Sequence, residues 1–177
     1  MKKLLLLSFL LFACALQAQE QFEWVKTFGG PGEDEGYQCA VAPSGDLLFT
    51  GSYTDTMAMG NYLFESADNR EMFVMKTNQQ GELRWAAKAG GNAGYSTIGR
   101  AIDTDQNGNV YVGGNFRDSI RVGEQVFYGV DTEYHDNFLI KYDKDGNPLW
   151  TKIFKGPGGD CIEDLRVYGD HIVVTGY

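Results

Sequence analysis

The sequence of 177 residues has few long apolar runs, few histidines and few positive charges. Its one extended apolar run is at the N-terminus, where residues 4–12 follow Lys2 and Lys3. A membrane-spanning helix needs about 20 apolar residues, so this run is too short to cross a bilayer. No second run occurs downstream, and we therefore expect no integral membrane segment.

The N-terminal run has the order of a secretory signal peptide, with basic residues first, then an apolar stretch, then small residues. We predict cleavage after Ala18, so that residues 1–18 are the signal peptide and residues 19–177 the mature chain. The alternative is lipidation of Cys14, because a leucine lies three residues before it, although the bulky Phe12 fits a lipoprotein site poorly. Both routes predict a protein that is secreted, on the cell surface or periplasmic.

Positive charge is scarce: 15 Lys and Arg stand against 24 Asp and Glu, for a net charge of −9. Loss of Lys2 and Lys3 with the signal would make the chain more acidic still. Such a surface repels phosphate backbones, so we expect no nucleic-acid partner.

Cysteine and histidine are also rare, with three and two residues. After removal of the signal only Cys39 and Cys161 remain, which is neither a disulfide framework nor a metal cluster, and we expect both to be buried thiols. His135 and His171 lie far apart without metal-ligand spacing, and we predict that both are loop residues. No Ser-His-Asp set, phosphate loop or zinc spacing can be assembled.

What the sequence does contain is a repeat. The string FVMKTNQQGELRW at 73–85 returns as FLIKYDKDGNPLW at 138–150, and the similarity continues on both sides. Three copies begin at Trp24, Trp85 and Trp150, the last one truncated, with a period of 61 to 65 residues. Such periodicity is typical of repeat architectures, in which each unit buries its apolar face against the next.

Each copy contains short strand-like stretches and no sustained helical periodicity. In the second copy we predict strands at 100–103, 110–116, 138–142 and 149–154. The dipeptides Asn-Gly and Asp-Gly, which accept tight turns, precede the second and fourth of them. Four antiparallel strands in a unit of this size predict a β-propeller blade, and the fold class is therefore all-β.

Residues that return at the same place in each copy are candidate structural anchors. Trp24, Trp85 and Trp150 are predicted to fill the interfaces between blades, where burial of an indole contributes on the order of 3 kcal/mol. A glycine recurs near the end of the second strand, where backbones crowd or a bulge forms. These glycines are Gly51, Gly114 and Gly176.

The repeat resembles the SBBP repeat, a β-propeller repeat of secreted bacterial proteins. The resemblance is carried, from the end of the first copy into the second, by Phe73, Val74, Lys76, Gly81, Leu83, Trp85, Gly90, Gly91, Gly108, Asn109, Val110, Tyr111, Val112 and Gly114. It implies a propeller in an extracellular or surface setting with little established chemistry. It supplies no catalytic residues that could be transferred to this chain.

The number of repeats is small for a propeller. A leading outer strand at 22–28, two full repeats and part of a third make about two and a half blades, whereas closed propellers have about four to eight. We therefore expect a fragment of a longer protein, with C-terminal blades still needed for ring closure.

One segment begins like a calcium loop. Asp103, Asp105 and Asn107 alternate as oxygen ligands of a hard cation would, but Gly114 stands where the closing glutamate belongs. We favour a hairpin turn over a calcium site and expect no cofactor.

The function predicted from these patterns is a non-catalytic binding or structural scaffold. Its ligand, an unknown protein or glycan, would be contacted by loops on one face of the ring. The acidic clusters at 33–35 and 163–164 could form an acid pair, but solvated faces explain them equally well. The alternative is a propeller enzyme, either a glycan hydrolase or a quinone-dependent dehydrogenase, whose tryptophan-docking repeats share the G-x-x-x-W ending of residues 81–85 and 146–150.

Overall fold

A computed structural model describes residues 24–66, 69–92 and 94–177 of the chain. This part of the chain is built from β-strands without a helix, which confirms the all-β prediction. The strands are β1 (Asp34–Val41), β2 (Leu47–Tyr53), β3 (Thr56–Met59), β4 (Tyr62–Glu65), β5 (Glu71–Thr77), β6 (Leu83–Gly90), β7 (Thr97–Thr104), β8 (Val110–Phe116), β9 (Ser119–Val122), β10 (Gln125–Tyr128), β11 (Asp136–Tyr142), β12 (Pro148–Phe154), β13 (Ile162–Tyr168) and β14 (His171–Gly176). The signal peptide and the lipidation site at Cys14 lie outside the described residues. A search of the described segments finds no helix long and apolar enough to cross a membrane.

The strands form antiparallel blades, as predicted. Blade 1 has the order β1-β2-β5-β6 and blade 2 the order β7-β8-β11-β12. Strands β13 and β14 form a third, two-stranded sheet, here called the half blade. The described residues thus hold two complete propeller-type blades and part of another.

The first strands of the three sheets lie side by side and are joined by side chains. Gln38 of β1 accepts a hydrogen bond from the Ile102 amide of β7 at 2.6 Å and donates to Asp164 of β13 at 2.7 Å. Asp103 of β7 accepts from the Val167 amide of β13 at 2.8 Å. Because each of these polar groups has a partner in a neighbouring sheet, the inner strands are fixed in register.

Each complete repeat contains a hairpin that the sequence prediction missed. Strands β3–β4 and β9–β10 lie between the second and third strands of their blades and have only four residues each. Strand β9 pairs with the outer strand β6 of the preceding blade, and Ala58 of β3 bridges Gly29 in the corresponding way. Strands this short leave little periodicity to detect, and their pairing with another repeat supplies the stability that they lack alone.

The central strands of blade 2 are buried on both faces because blade 2 lies between two neighbours. Val112 of β8 and Ile140 of β11 belong to the core shared with blade 1. The residues next to them, Tyr111 and Leu139, belong to the core shared with the half blade. Alternate residues of one strand therefore serve two different interfaces, as the two-residue period of a strand requires.

Candidate functional site

The two ends of the blades are built differently. At one end, here called the turn end, the strands are joined by five-residue turns at 42–46, 78–82, 105–109 and 143–147. At the opposite end, here called the loop end, longer segments lead into the first and third strands of each blade. Longer connections carry more varied side chains, so the loop end is the place to search for a ligand site.

A cleft of about 350 Å³ opens at the loop end, where blade 1, blade 2 and the half blade meet. It is lined by Arg70, Ser96, Ile98, Arg100, Asn115, His135, Gly159, Asp160, Cys161 and Tyr177. We call it the loop-end cleft. Because three sheets contribute to its walls, its shape depends on how they stack.

Ser96 and His135 form a pair in this cleft. Ser96 precedes β7, His135 precedes β11, and Ser96 Oγ lies 3.1 Å from His135 Nε2. The sequence analysis found no such pair, because the two positions are 39 apart along the chain and only the fold brings them together. His171 is also placed differently from the prediction, since it is the first residue of β14 rather than a loop residue.

The same place in blade 1 holds an ion pair. Glu33 precedes β1 and Arg70 precedes β5, so they occupy the positions of Ser96 and His135 in the preceding repeat. The Arg70 and Glu33 side chains are 2.7 Å apart, and Arg70 also binds Glu35. Glu33 and Glu35 nevertheless stay largely exposed, so residues 33–35 form a solvated face whose charge Arg70 partly neutralises.

The surroundings of His135 favour its neutral form. Burial is the main cause that lowers the pKa of His135 below its usual value, and the positive charges of Arg117 and Arg100 lower it further. A protonated imidazole would lose hydration and face two cations. His135 is therefore neutral at pH 7, with one ring nitrogen able to accept a hydrogen bond from Ser96.

Arg100 is the cation of the cleft with the most available donors. Its Nε donates to Asn115 Oδ1 at 3.3 Å, Nη1 lies 3.7 Å from a Glu163 oxygen, and its guanidinium stacks on Tyr37 at 5.1 Å. A guanidinium carries five N–H donors, and these contacts engage only part of them. Glu163 thus approaches Arg100 while its side chain stays 45% exposed.

The two cysteines differ in position and are both free thiols. Cys161 is buried in the wall of the cleft, where burial and a hydrogen bond to Glu163 raise the pKa of its thiol to about 11. It therefore stays protonated and is a poor nucleophile at neutral pH. Cys39 is exposed, which corrects the expectation that both thiols are buried.

The candidate calcium ligands are placed in and beside a turn at the other end of blade 2. Asp105 Oδ1 accepts from the amides of Asn107 and Asn109 at 3.0 and 2.9 Å. Asp105 Oδ2 accepts from the Asn109 side chain and from the Tyr111 hydroxyl, and Lys141 lies 3.4 Å away. A cation here would have to displace these donors. Among the described residues no group of three or more His, Cys, Asp or Glu is arranged to hold a metal ion.

Two of the three repeated tryptophans dock on the next blade in the same way. The Trp24 indole N–H donates to the Gln79 carbonyl at 2.8 Å, and the Trp85 indole N–H donates to the Lys144 carbonyl at 3.0 Å. Both acceptors lie in the turn before the outer strand of the following blade. A Cβ on the turn glycine would fall 2.9 Å from the Trp24 ring at Gly81 and 2.7 Å from the Trp85 ring at Gly146. Trp150 instead packs edge-on against Tyr111 of its own blade.

The three repeated glycines share one environment. A Cβ at Gly51, Gly114 or Gly176 would lie about 2 Å from the carbonyl oxygen of residue 35, 98 or 161, which is on the first strand or, for residue 161, directly before it. In each sheet the register of the first strand shifts within three residues of that carbonyl, which marks a bulge. The bulge brings the two backbones too close for any side chain.

Comparison with known proteins agrees with this geometry. Residues 85–115 match the family model of the SBBP beta-propeller repeat. Residues 85–115 are thus similar to an SBBP β-propeller repeat. It is also 25% identical over 147 residues to an uncharacterized WD repeat-containing protein, L264, of Acanthamoeba polyphaga mimivirus. That match covers 76% of this chain but only 10% of the relative, so the chain spans about a tenth of that protein's length.

The matched SBBP repeat includes much of the loop-end cleft. It begins at Trp85, ends at Asn115 and contains Ser96 and Arg100 between them. The repeat pattern itself is made of glycines, aromatic residues and strand residues, whereas the cleft residues differ from one copy to the next. Residues that differ between equivalent positions of the copies are the sequence signal that could have indicated this site. Residues with a structural role recur in every copy, whereas residues that contact a ligand need not recur.

Proposed function

We propose that this chain is part of an exported β-propeller that serves as a non-catalytic binding scaffold, with its ligand site in the loop-end cleft. The observation that carries the proposal is the contrast between the two ends. The turn end repeats the same turns and tryptophan contacts from blade to blade. The loop end replaces the Glu33–Arg70 ion pair of blade 1 by Ser96 and His135 in blade 2 and leaves an open cleft beside them.

The aromatic residues around the cleft support a ligand with flat apolar faces and many hydroxyl groups, or a protein loop. Tyr177 lines the cleft, Tyr37 stacks on Arg100, and Tyr134 lies beside Gly159. All three rings are exposed. Exposed tyrosine and arginine supply large, rigid contact areas together with hydrogen-bond donors, which is typical of binding surfaces.

The test is a binding screen of the full chain against immobilised glycans and candidate surface proteins. For any ligand found, the affinity is then measured for two variants. Arg100→Ala alters the cleft, and Lys144→Ala is the matched control that removes one cation at the turn end. We expect the first substitution to weaken binding at least tenfold and the second to leave it unchanged. Equal effects of the two substitutions would overturn the assignment of the site.

Export is the part of the proposal that depends on the N-terminal sequence. Mass spectrometry of the protein recovered from its natural host separates the two routes. A mature chain that begins at Gln19 supports cleavage after Ala18, a diacylated Cys14 supports the lipoprotein route, and an intact Lys2-Lys3 segment on a cytoplasmic protein would refute export.

A second candidate function is acyl-ester hydrolysis, favoured by one observation, the 3.1 Å contact between Ser96 Oγ and His135 Nε2. A neutral histidine at this distance is able to take the proton of a serine nucleophile. The equivalent ion pair in blade 1 argues that the contact ties two loops together instead. Covalent labelling by a fluorophosphonate decides between them: labelling of the parent chain that is lost in Ser96→Ala would favour the hydrolase.

A further inference from the structure

The hairpin β9–β10 gives the largest sheet an unpaired edge. Blade 1 and this hairpin form one six-stranded sheet in the order β1-β2-β5-β6-β9-β10, so β10 is its last strand. Within the described residues, β10 pairs with β9 alone. The unpaired N–H and C=O groups of such a strand can pair with another extended chain. We call the side of β10 that faces away from β9 the β10 edge.

The register of the hairpin shows which backbone groups the β10 edge presents. The amide of Gly129 donates to the Asp118 carbonyl at 2.7 Å, so these two residues form a hydrogen-bonded pair. Hydrogen-bonded and non-hydrogen-bonded pairs alternate along an antiparallel ladder. Val126 and Tyr128 therefore lie in non-hydrogen-bonded pairs, and their peptide groups point away from β9. Each of the two residues offers one donor and one acceptor at the edge.

The corresponding edge of the hairpin β3–β4 is occupied by a charged side chain. Glu65, the last residue of β4, has the position that Tyr128 has in β10. Lys88 Nζ of β6 donates to the Glu65 carbonyl at 2.6 Å, and a lysine on a strand edge discourages pairing with a further strand. The residue of β12 that corresponds to Lys88 is Ile153, because both lie opposite a phenylalanine of the third strand. Ile153 has no donor and cannot cap the Tyr128 carbonyl in this way.

The surface beside the β10 edge is apolar and held in place. Phe127 packs against the core, so its neighbours Val126 and Tyr128 turn their side chains to the other face of the sheet. Tyr128 is 64% exposed, and Val130, just beyond the strand, is 56% exposed. The Val130 amide donates to the buried carboxylate of Asp136 at 2.7 Å, which fixes the chain where it leaves β10. A fixed edge loses little conformational entropy when a strand is added.

The charges around the β10 edge are mainly negative. Residues 117–134, which contain the hairpin and the loop after it, carry four carboxylates against two guanidinium groups: Asp118, Glu124, Asp131 and Glu133 against Arg117 and Arg121. Asp131 accepts hydrogen bonds from the amides of Tyr134 and Glu133, which lower its pKa and keep it ionised. This balance of charge favours a basic partner.

We propose that the β10 edge binds an extended basic peptide segment of another protein, which adds to the six-stranded sheet as a seventh strand. The backbone groups of Val126 and Tyr128 pair with the peptide, and its apolar side chains lie beside Tyr128 and Val130. Its lysines or arginines lie near the carboxylates of the hairpin and the following loop. The three edge residues are not part of the loop-end cleft, so this site is independent of the proposed function.

The first test uses a short peptide of alternating lysine and valine as the probe, titrated into the full chain by calorimetry. Its control is the same peptide with every amide N-methylated, which keeps the charges and side chains but has no N–H to donate. We expect the control to bind at least tenfold more weakly, because strand addition depends on main-chain hydrogen bonds. A peptide with glutamate in place of lysine should also bind at least tenfold more weakly. Equal binding of the probe and its N-methylated control would overturn the inference.

The second test changes the edge itself. Tyr128→Pro removes the outward N–H and preserves the pairing with β9, because the Tyr128 amide points away from β9. We expect it to weaken binding of the lysine-valine peptide at least tenfold. Tyr128→Ala keeps the N–H and should weaken binding less. Glu65→Pro, the matched change at the corresponding position of β4, should leave binding unchanged, and unfolding midpoints show whether each variant is folded.

Two further outcomes would refute a basic peptide as the partner at this edge. If the peptide does not bind, but sedimentation shows a dimer of the parent chain that Tyr128→Pro disrupts, the β10 edge pairs with a second copy. If Arg100→Ala abolishes peptide binding and Tyr128→Pro retains it, the peptide lies in the loop-end cleft. That last result would support the cleft as a binding site and reject the β10 edge.

Discussion

At the residue scale, the clearest contacts between the blades are made by single tryptophans. Trp85 is buried between blade 1 and the turn of blade 2, with its indole N–H satisfied and its ring next to Tyr142. Trp150, the corresponding residue of blade 2, has no such turn above it in the described part of the chain. The two residues therefore form a natural comparison of a docked and an undocked indole.

We predict that Trp85→Ala lowers the free energy of unfolding by about 3–5 kcal/mol, since it leaves a cavity and an unpaired carbonyl between blades. Trp150→Ala should lower it clearly less. Urea unfolding followed by circular dichroism measures both. Similar losses for the two variants would contradict the docking role of Trp85.

A second residue-scale prediction concerns Gly114. A Cβ there would lie 2.0 Å from the Ile98 carbonyl and 2.8 Å from the Phe138 ring, so Gly114→Ala should lower stability by about 1–3 kcal/mol. Gly36, at the bulge of blade 1, has no atom within 4 Å of the place that a Cβ would occupy, and Gly36→Ala should change stability by less than about 0.5 kcal/mol. Thermal unfolding of the pair checks the contrast.

At the element scale, one turn design is used four times. In each of the four turns the first residue accepts a hydrogen bond from the amide of a glycine at the fourth position, and that glycine has a φ between +71° and +92°. In two of them, the turns that begin at Asp105 and Asp143, an aspartate side chain also accepts from the amides of the third and fifth residues. The hydrogen bonds that define these turns are therefore made within five consecutive residues.

We predict that Asp105→Ala lowers stability by about 1–3 kcal/mol, because it removes a charged acceptor of several hydrogen bonds. Asp145→Ala, at an exposed position of the turn at 143–147, should have little effect. Calcium should leave the unfolding midpoint of the parent chain unchanged. A calcium-dependent rise that disappears in Asp105→Ala would contradict the turn assignment.

The stabilisation that the Asp105 carboxylate provides should be sensitive to acid. Burial opposes ionisation of Asp105, but the hydrogen bonds from Asn109, Tyr111 and Asn107 outweigh it and lower its pKa. A lowered pKa in the folded state means that this stabilisation is present above about pH 4 and is lost as the pH falls through the folded-state pKa. The difference in stability between the parent chain and Asp105→Ala should therefore shrink below pH 4.

At the scale of the whole molecule, stability should also depend on pH near neutrality. His135 has a lowered pKa in the folded state, so below about pH 6.5 the unfolded chain binds more protons and stability falls. Unfolding midpoints measured from pH 7.5 to pH 5 should decrease. His135→Gln should flatten that decrease, and His171→Gln, at an exposed position, should not.

The blades could be predicted from the sequence, whereas the cleft could not. Periodic strands, turn dipeptides and recurring tryptophans are local signals, and they led to four-stranded blades with β8 at 110–116 as expected. The hairpin β9–β10 was missed because its pairing partner, β6, lies in another repeat. Ser96 and His135 were missed for a related reason: the pair exists only after the blade has folded.

The direction of the tryptophan contacts has a consequence for how such genes change in length. Both docked indoles contact the following unit, so each complete unit has a docking tryptophan on one side and an accepting turn on the other. After duplication or loss of a whole unit, a tryptophan still faces an accepting turn at the new junction. Insertion of half a unit does not preserve this match, and natural variants of this architecture should therefore differ in length by complete multiples of about 60 to 65 residues.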